Sequence, residues 1–268
     1  MPTWNAAQYL RFAGERTQPC RDLAARVALS SPRRIIDLGC GAGNSTEVLA
    51  ERWPDADVTG LDSAPEMIDA ARRTYPKRQW AVGDIGAWAE GGEPPFDLVF
   101  SNAALQWVGE HAALFPRLLD HVAPGGALAV QMPANLDAPA HRRMRELAAS
   151  SGWRSRFPGG GVREWHVHDA SFYYDVLAPG AARIDLWTTE YVHVMAGPEA
   201  IVDWYKGTGL RPFLDALASD ADRAEFTSAY LEQIRAEFPH RPDGRVLFPF
   251  RRLFVVAYRL ADGVLRST

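Results

Sequence analysis

The chain has 268 residues, 47% hydrophobic and 23% charged, with a formal net charge of −4. Such a composition describes an ordinary globular protein, long enough for a full core in one large domain or one domain with a sizeable insertion. The acidic balance gives no footprint for nucleic acid or an anionic membrane, and no window approaches the roughly 18 apolar residues of a membrane span.

Residues 4–29 carry two helical patterns, Trp4, Tyr9, Leu10 and Phe12 first, then Leu23, Val27 and Ala28 after Pro19. Pro32 closes them, and Arg34–Leu38 reads as a short buried strand. It runs into the glycine turn Gly39-Cys40-Gly41-Ala42-Gly43, and a helix opens at Asn44. The spacing then predicts a strand over 57–61, a helix over 65–74 with Pro65 in its first turn, and a strand over 79–82. Gly91–Pro95 reads as a loop. A strand over 96–100, a helix near 111–121, a turn at Pro124-Gly125-Gly126 and a strand over 127–131 follow. Short apolar strands alternating with helices argue for a parallel sheet covered on both faces.

Beyond Pro133 the regularity changes. Residues 138–150 look helical, 151–168 reads as a glycine- and aromatic-rich loop, and 171–177 as a short helix. Ala182–Tyr191 alternates like a strand, 198–238 reads as helices broken near Gly207–Pro212, and Arg252–Arg259 as the final strand. The stretch between those last two strands is too long for an ordinary connection and implies an inserted helical cap. The organisation expected is a single domain of four parts. These are an N-terminal helical cover (1–31), a cofactor-binding core (32–135), cap elements with the sixth strand (136–250), and the last strand and tail (251–268).

The strand ends carry the candidate chemistry. Gly39, Gly41 and Gly43 let a ligand approach bare backbone at a helix N-terminus. Asp37, just before the turn, repels a phosphate and suits an ammonium, which favours a cationic amino-acid ligand over a dinucleotide. Asp62 stands at the distance from the turn at which an acidic residue meets ribose hydroxyls. Asp84 and Ile85 offer a carboxylate and an apolar wall to an adenine ring, and Asn102 ends the fourth strand. Each has a plain structural reading too: a tight turn, a helix cap, a loop aspartate.

Cys20 and Cys40 form no disulfide framework, and the first residues lack the basic and apolar regions of a signal peptide, so a reducing cytoplasm is expected. No metal is expected: neither cysteine has a second at ligand spacing, and His166-x-His168 is a weak pair.

The segments DLGCGAG, LDSAPEM, GDI and SNAALQWV resemble the class I S-adenosylmethionine-dependent methyltransferases. The flanking WNAAQYLRFAGER, LAVQMPAN, IVDWYKGTGLRP and FPFRRLFVVA are similar to the branch of that family that methylates trans-aconitate, and run nearly end to end. The resemblance implies an α/β fold: a Rossmann-like, doubly wound, mostly parallel seven-stranded sheet with the last strand antiparallel and a helical cap inserted. It implies S-adenosyl-L-methionine as cofactor, S-adenosyl-L-homocysteine as product and a small polycarboxylate as substrate; charge and hydropathy lead to the expectation of no nucleic-acid or membrane partner. By it, Asp37, Gly39, Gly41 and Gly43 hold the methionine part, Asp62 the ribose, and Asp84 and Ile85 the adenine. Tyr9, Phe12 and Arg16 belong to a helix that closes over the cofactor.

A carboxylate is already ionised at neutral pH and needs no general base to attack a sulfonium methyl. No catalytic acid or base is therefore expected, only positioning, with Gln106 and Trp107 as a wall between cofactor and substrate. A polycarboxylate calls for Arg, His and Tyr. The candidates are Arg211, Arg251 or Arg252, His193, and Tyr174 or Tyr173, with His166 and His168 on the loop. Their plain readings are surface arginines, a satisfied strand histidine and, for Trp107, core packing. The alternatives are methylation of another small acid or a malonyl thioester, a nicotinamide-dependent dehydrogenase, which Asp37 and Asn44 disfavour, and a non-catalytic binding protein.

Overall fold

The structure, a computed structural model, describes residues 13–157 and 165–261. Helix α1 (Ala13–Arg26) opens it. Strands β1 (Arg34–Leu38), β2 (Asp57–Asp62), β3 (Gln79–Val82) and β4 (Phe96–Asn102) follow. Between them lie α2 (Asn44–Arg52), α3 (Pro65–Thr74) and the short α4 (Ile85–Ala89). A 3-10 turn (Leu105–Trp107), α5 (His111–Asp120), β5 (Val122–Pro133), α6 (Pro139–Ala149) and α7 (Ala170–Leu177) come next. Then come β6 (Ala181–Met195), α8 (Pro198–Lys206), α9 (Arg211–Ala216), α10 (Asp220–Glu237) and β7 (Val246–Arg259).

The seven strands form one sheet in the order β3-β2-β1-β4-β5-β7-β6. Neighbours from β3 to β5 pair parallel, and β7 pairs antiparallel with β5, Val130 opposite Val255. The central strands are apolar on both faces because both are covered: Ile35, Leu38, Leu98, Val99, Phe100, Leu128 and Val255 are fully buried. Strand order reverses between β1 and β4, and the crevice beyond the carboxyl ends at such a switch point is where open α/β sheets take ligands.

The chain divides into two compact units. Among the described residues, one holds 13–133, 165–189 and 252–261, and the other 134–157 and 190–251. The second unit has its own core, including Met144, Trp153, Trp204, Tyr205, Phe213, Phe226, Tyr230 and Phe248. Several of its aromatic rings meet edge to face, as in Trp153 on Phe226 at 4.9 Å between centroids, and Phe213 stacks on Phe226.

Several elements differ from the sequence expectations. Helix α1 runs through Pro19, which was expected to separate two helices. The missing N–H costs one helical bond, and burial of Cys20, Leu23 and Ala24 just after it offsets that loss. Pro124-Gly125-Gly126 lies inside β5, where the register with β4 shifts between Phe96 and Leu98. It is an irregularity of the strand rather than a turn before it. A Cβ at Gly126 would stand 2.5 Å from the Asp97 carbonyl oxygen, so only glycine fits that crossing. Strands β6 and β7 are longer than their alternating patterns, because Val192 and Val194 are exposed on β6 and the outward positions at the start of β7 are the apolar Leu247 and Pro249, between buried Phe248 and Phe250. Helix α4 was not expected, as five residues are too few to show a period. No helix among the described residues is long and apolar enough to cross a membrane.

Candidate active site

The glycine turn is built from β1 outward. Asp37 is fully buried, and its Oδ2 accepts from the Ser45 hydroxyl at 2.6 Å and the Thr46 hydroxyl at 2.7 Å. The carboxylate thus ties the end of β1 to the first turn of α2, where it also suits the positive end of the helix dipole. Its Oδ1 is buried with no hydrogen-bond partner among the described residues. Burial pushes the Asp37 carboxyl up to about 6, against the two hydroxyl bonds that pull it down. A negative charge held at that cost favours a cation bound over the turn.

The alternating glycines serve different needs. Gly39 has φ +75°, and a Cβ there would overlap the Ala104 Cβ, so the Ala104 methyl of the loop after β4 packs directly on the bare Gly39 backbone. Gly41 has φ +55°, with none of the described residues within 4 Å of the Cβ position. Open space over a left-handed glycine is the room a ligand needs against the chain. Gly43 is the N-cap of α2 and packs under Trp80.

Asp62 closes the turn from the other side. Its Oδ2 accepts the Gly41 amide at 2.9 Å and its Oδ1 the Ala64 amide at 2.9 Å. Burial raises this carboxyl from its usual range while both amide bonds lower it. Each oxygen keeps a second lone pair, so the carboxylate can still receive a diol. Val82 is directly opposite Asp62 in the β2–β3 register and is 50% exposed, an apolar surface beside that carboxylate. Asp84 caps α4, accepting the Ala87 amide at 3.0 Å, and Ile85 is buried behind it. Asn102 ends β4 with its Oδ1 buried and unpartnered among the described residues. The donor set fits an adenosyl amino acid: a carboxylate for an ammonium, an open glycine backbone, a carboxylate for a ribose and an apolar surface for a ring.

Beyond Asn102 the backbone is strained. Ala103 takes φ 56°, outside the region that alanine favours, and the Gln106 side chain donates to its carbonyl at 2.7 Å. Gln106 is 3% exposed and its Oε1 has no partner among the described residues. Trp107 is half-buried and meets Trp165 edge to face at 5.4 Å.

The substrate candidates fall in different surroundings. In the first unit, α7 turns Tyr173 inward, fully buried, and Tyr174 outward, 53% exposed. Of the adjacent arginines, Arg252 is buried and donates to Gln131 Oε1 at 3.1 Å, whereas Arg251 of the second unit is exposed and donates to the Ala134 carbonyl at 2.9 Å. Opposite faces for neighbours in a strand are what the pleat requires. His193 is buried among Trp204, Phe248 and Phe250. Arg211 begins α9, partly buried, with its Nε 3.4 Å from Asp215 Oδ2. Tyr9 and Phe12 lie outside the described residues. Arg16 lies in α1, and its side chain is outside them too. Among the described residues no group of three or more His, Cys, Asp or Glu is arranged to hold a metal ion.

Sequence reasoning missed Ser45 and Thr46, whose place in the first turn of α2 was the available signal. It also missed a buried polar network in the second unit. Tyr205 Oη lies 3.2 Å from His141 Nδ1 and accepts from Asn135 Nδ2 at 3.4 Å. Burial pushes His141 down to about 3, so it stays neutral. A Cβ at Gly209 would stand 2.9 Å from His141 Nε2, so the turn leading to Arg211 needs glycine to pass this ring.

Residues 35–126 match the family described as a methyltransferase domain. The trans-aconitate 2-methyltransferase of Azoarcus sp. (strain BH72) is 51% identical over 97% of this chain and 100% of its own length. That of Paracidovorax citrulli is 49% identical over 97% and 100%. Among solved structures, phosphoethanolamine N-methyltransferase 2 of Haemonchus contortus has the same fold at a TM-score of 0.57 and 16% identity, covering 96% of this chain and 56% of that one. By identity sustained over nearly the whole of both chains, the protein belongs to the trans-aconitate 2-methyltransferase family.

Proposed function

We propose that this protein esterifies one carboxylate of trans-aconitate with the methyl group of S-adenosylmethionine, releasing the monomethyl ester and S-adenosylhomocysteine. The cofactor supplies an electrophilic methyl when bound. Asp37 acts through its charge and by fixing Ser45 and Thr46. Gly41 presents open backbone to the methionine part, Asp62 takes the ribose hydroxyls, and Val82, Asp84 and Ile85 frame the adenine. Asn102 and Gln106, each with a buried oxygen lacking a partner among the described residues, and Trp107 align the reacting groups.

The observation that carries the substrate assignment is the span of the likeness, which covers 97% of the chain and so includes the second unit as well as the glycine turn. Arg211 is the proposed grip for a carboxylate the reaction leaves untouched, since a guanidinium holds a carboxylate through two parallel bonds. His193, Tyr174 and Arg251 remain candidates for further contacts. A second reading, methylation of a malonyl thioester or another small acid, uses the same cofactor site and differs only in the acid.

Labelled S-adenosylmethionine with a panel of di- and tricarboxylates and a malonyl thioester tests this. Ester formation with trans-aconitate is expected. Turnover of the thioester without it moves the assignment to the second reading. Binding of NADH without S-adenosylmethionine in calorimetry contradicts both.

A further inference from the structure

Two stretches of the first unit, 105–111 and 165–173, are joined by hydrogen bonds that no step above uses. His111 is 2% exposed, with Nε2 3.0 Å from the Leu105 carbonyl oxygen and Nδ1 2.9 Å from the Tyr173 hydroxyl. A carbonyl only accepts, so Nε2 carries the proton, and in the neutral ring Nδ1 accepts from Tyr173. Burial first, and then the neighbouring His168 and His166, lower His111 from its ordinary range. The Tyr173 oxygen in turn accepts the His168 amide at 3.2 Å. A separate bond runs from the His166 amide to the Gln106 carbonyl at 2.9 Å.

These bonds secure the part of the chain that needs securing. Ala103 at φ 56° and Glu110 at φ 55° bracket the turn carrying Gln106 and Trp107. Left-handed residues other than glycine are strained and persist only where the surroundings over-determine them. We propose that His111 and Tyr173 form a bolt that positions the Gln106–Trp107 turn for methyl transfer, with His111 as its centre. The bolt stands on geometry alone, whereas its catalytic consequence rests on the methyl-transfer reading above.

Protonating His111 puts a second donor on the ring at Nδ1. Tyr173 must then turn its own proton elsewhere, and the alternative is the weak acceptor Met132 Sδ at 3.9 Å. Burial holds the Tyr173 hydroxyl protonated throughout. The titratable groups facing His111 are His166, His168 and Tyr173, with Asp169 acting on Tyr173 and His168. Acid therefore loosens the bolt.

Amide hydrogen exchange on the full chain reads the bolt without substrate. Tyr173→Phe keeps the ring, and is expected to speed exchange at the His168 amide about fivefold, the factor for one lost hydrogen bond, and to leave His166 less affected. His111→Gln is expected to speed both. In the assay, both variants are expected to lower kcat with trans-aconitate about fivefold or more while the calorimetric Kd for S-adenosylmethionine stays within about twofold. The acid limb of the wild-type kcat profile is expected to move to lower pH in His111→Gln, where only the substrate carboxylate still titrates. Unchanged exchange at both amides in both variants overturns the bolt. Faster exchange with unaltered kcat and acid limb overturns its positioning role. A wild-type protein inactive on trans-aconitate but active on another acid overturns the substrate assignment instead, and the same kinetic comparison is then read with that acid.

Discussion

The carboxylate of Asp62 accepts the amide of Gly41 at 2.9 Å, so the end of β2 and the glycine turn after β1 form one construction. The residue proposed to hold the ribose also fixes the backbone proposed to hold the methionine part. Replacing Asp62 by Ala is expected to raise the S-adenosylmethionine Kd more than about tenfold, through lost bonds to the ribose and a slackened turn. Asp62→Asn keeps an acceptor and is expected to lose less. Calorimetry that finds an unchanged Kd in the alanine variant removes Asp62 from the site.

Gly39 and Gly41 are expected to fail in different ways. Alanine at Gly39 meets the Ala104 Cβ in a left-handed conformation, so it destabilises the fold by about 2 kcal/mol or more, read as a lower Tm. Alanine at Gly41 meets none of the described residues, costs about 1–2 kcal/mol of backbone strain, and keeps the fold. It is expected to weaken cofactor binding out of proportion to that cost. Equal melting losses with cofactor affinity preserved in Gly41→Ala contradict the assignment of that open space to a ligand.

Asp37 gives a pH dependence whose sign follows from its burial. Its folded value, about 6, lies above the unfolded value of 3.8, so the ionised form is disfavoured in the fold. Stability from this group is therefore fully present below about 3.8 and is lost as pH rises through about 6. Asp37→Asn is expected to stabilise the ligand-free protein at pH 7 by about 1–3 kcal/mol and to flatten its stability between pH 4 and 7. The same change is expected to weaken S-adenosylmethionine binding, because the ammonium loses its counter-charge. In the wild type, affinity falls as pH drops below about 6, where a proton competes for the carboxylate. Thermal melts and calorimetry across that range check both signs.

Arg211→Ala is expected to raise the KM for the acid about tenfold or more with the cofactor Kd unchanged, the signature of a lost charged hydrogen bond to substrate. A change in cofactor binding alone puts Arg211 elsewhere.

Much of this was legible in the residues. The glycine turn, the Asp62 spacing and Asn102 at a strand end depend on local chemistry at fixed distances along the chain, which sequence preserves. The α4 helix was hidden because five residues carry no period, although Asp84 at its N-cap was visible. Pro124-Gly125-Gly126 misled because a strand irregularity and a turn use the same residues. His111 and Asn135 could not be found by spacing. Their partners, Tyr173 and Tyr205, are 62 and 70 positions away, and only the fold brings them together. The choice between Arg251 and Arg252 needed the phase of β7, which the apolar Leu247 and Pro249 on its outward face obscured.

The central claim is tested most directly by following the transferred carbon. Incubation with S-adenosylmethionine carrying a 13C-labelled methyl, and trans-aconitate as the acid, is predicted to give one labelled methyl ester per S-adenosylhomocysteine released, read by carbon NMR of the product. S-adenosylhomocysteine formed without a labelled ester, or no turnover of trans-aconitate while a malonyl thioester is methylated, would contradict it.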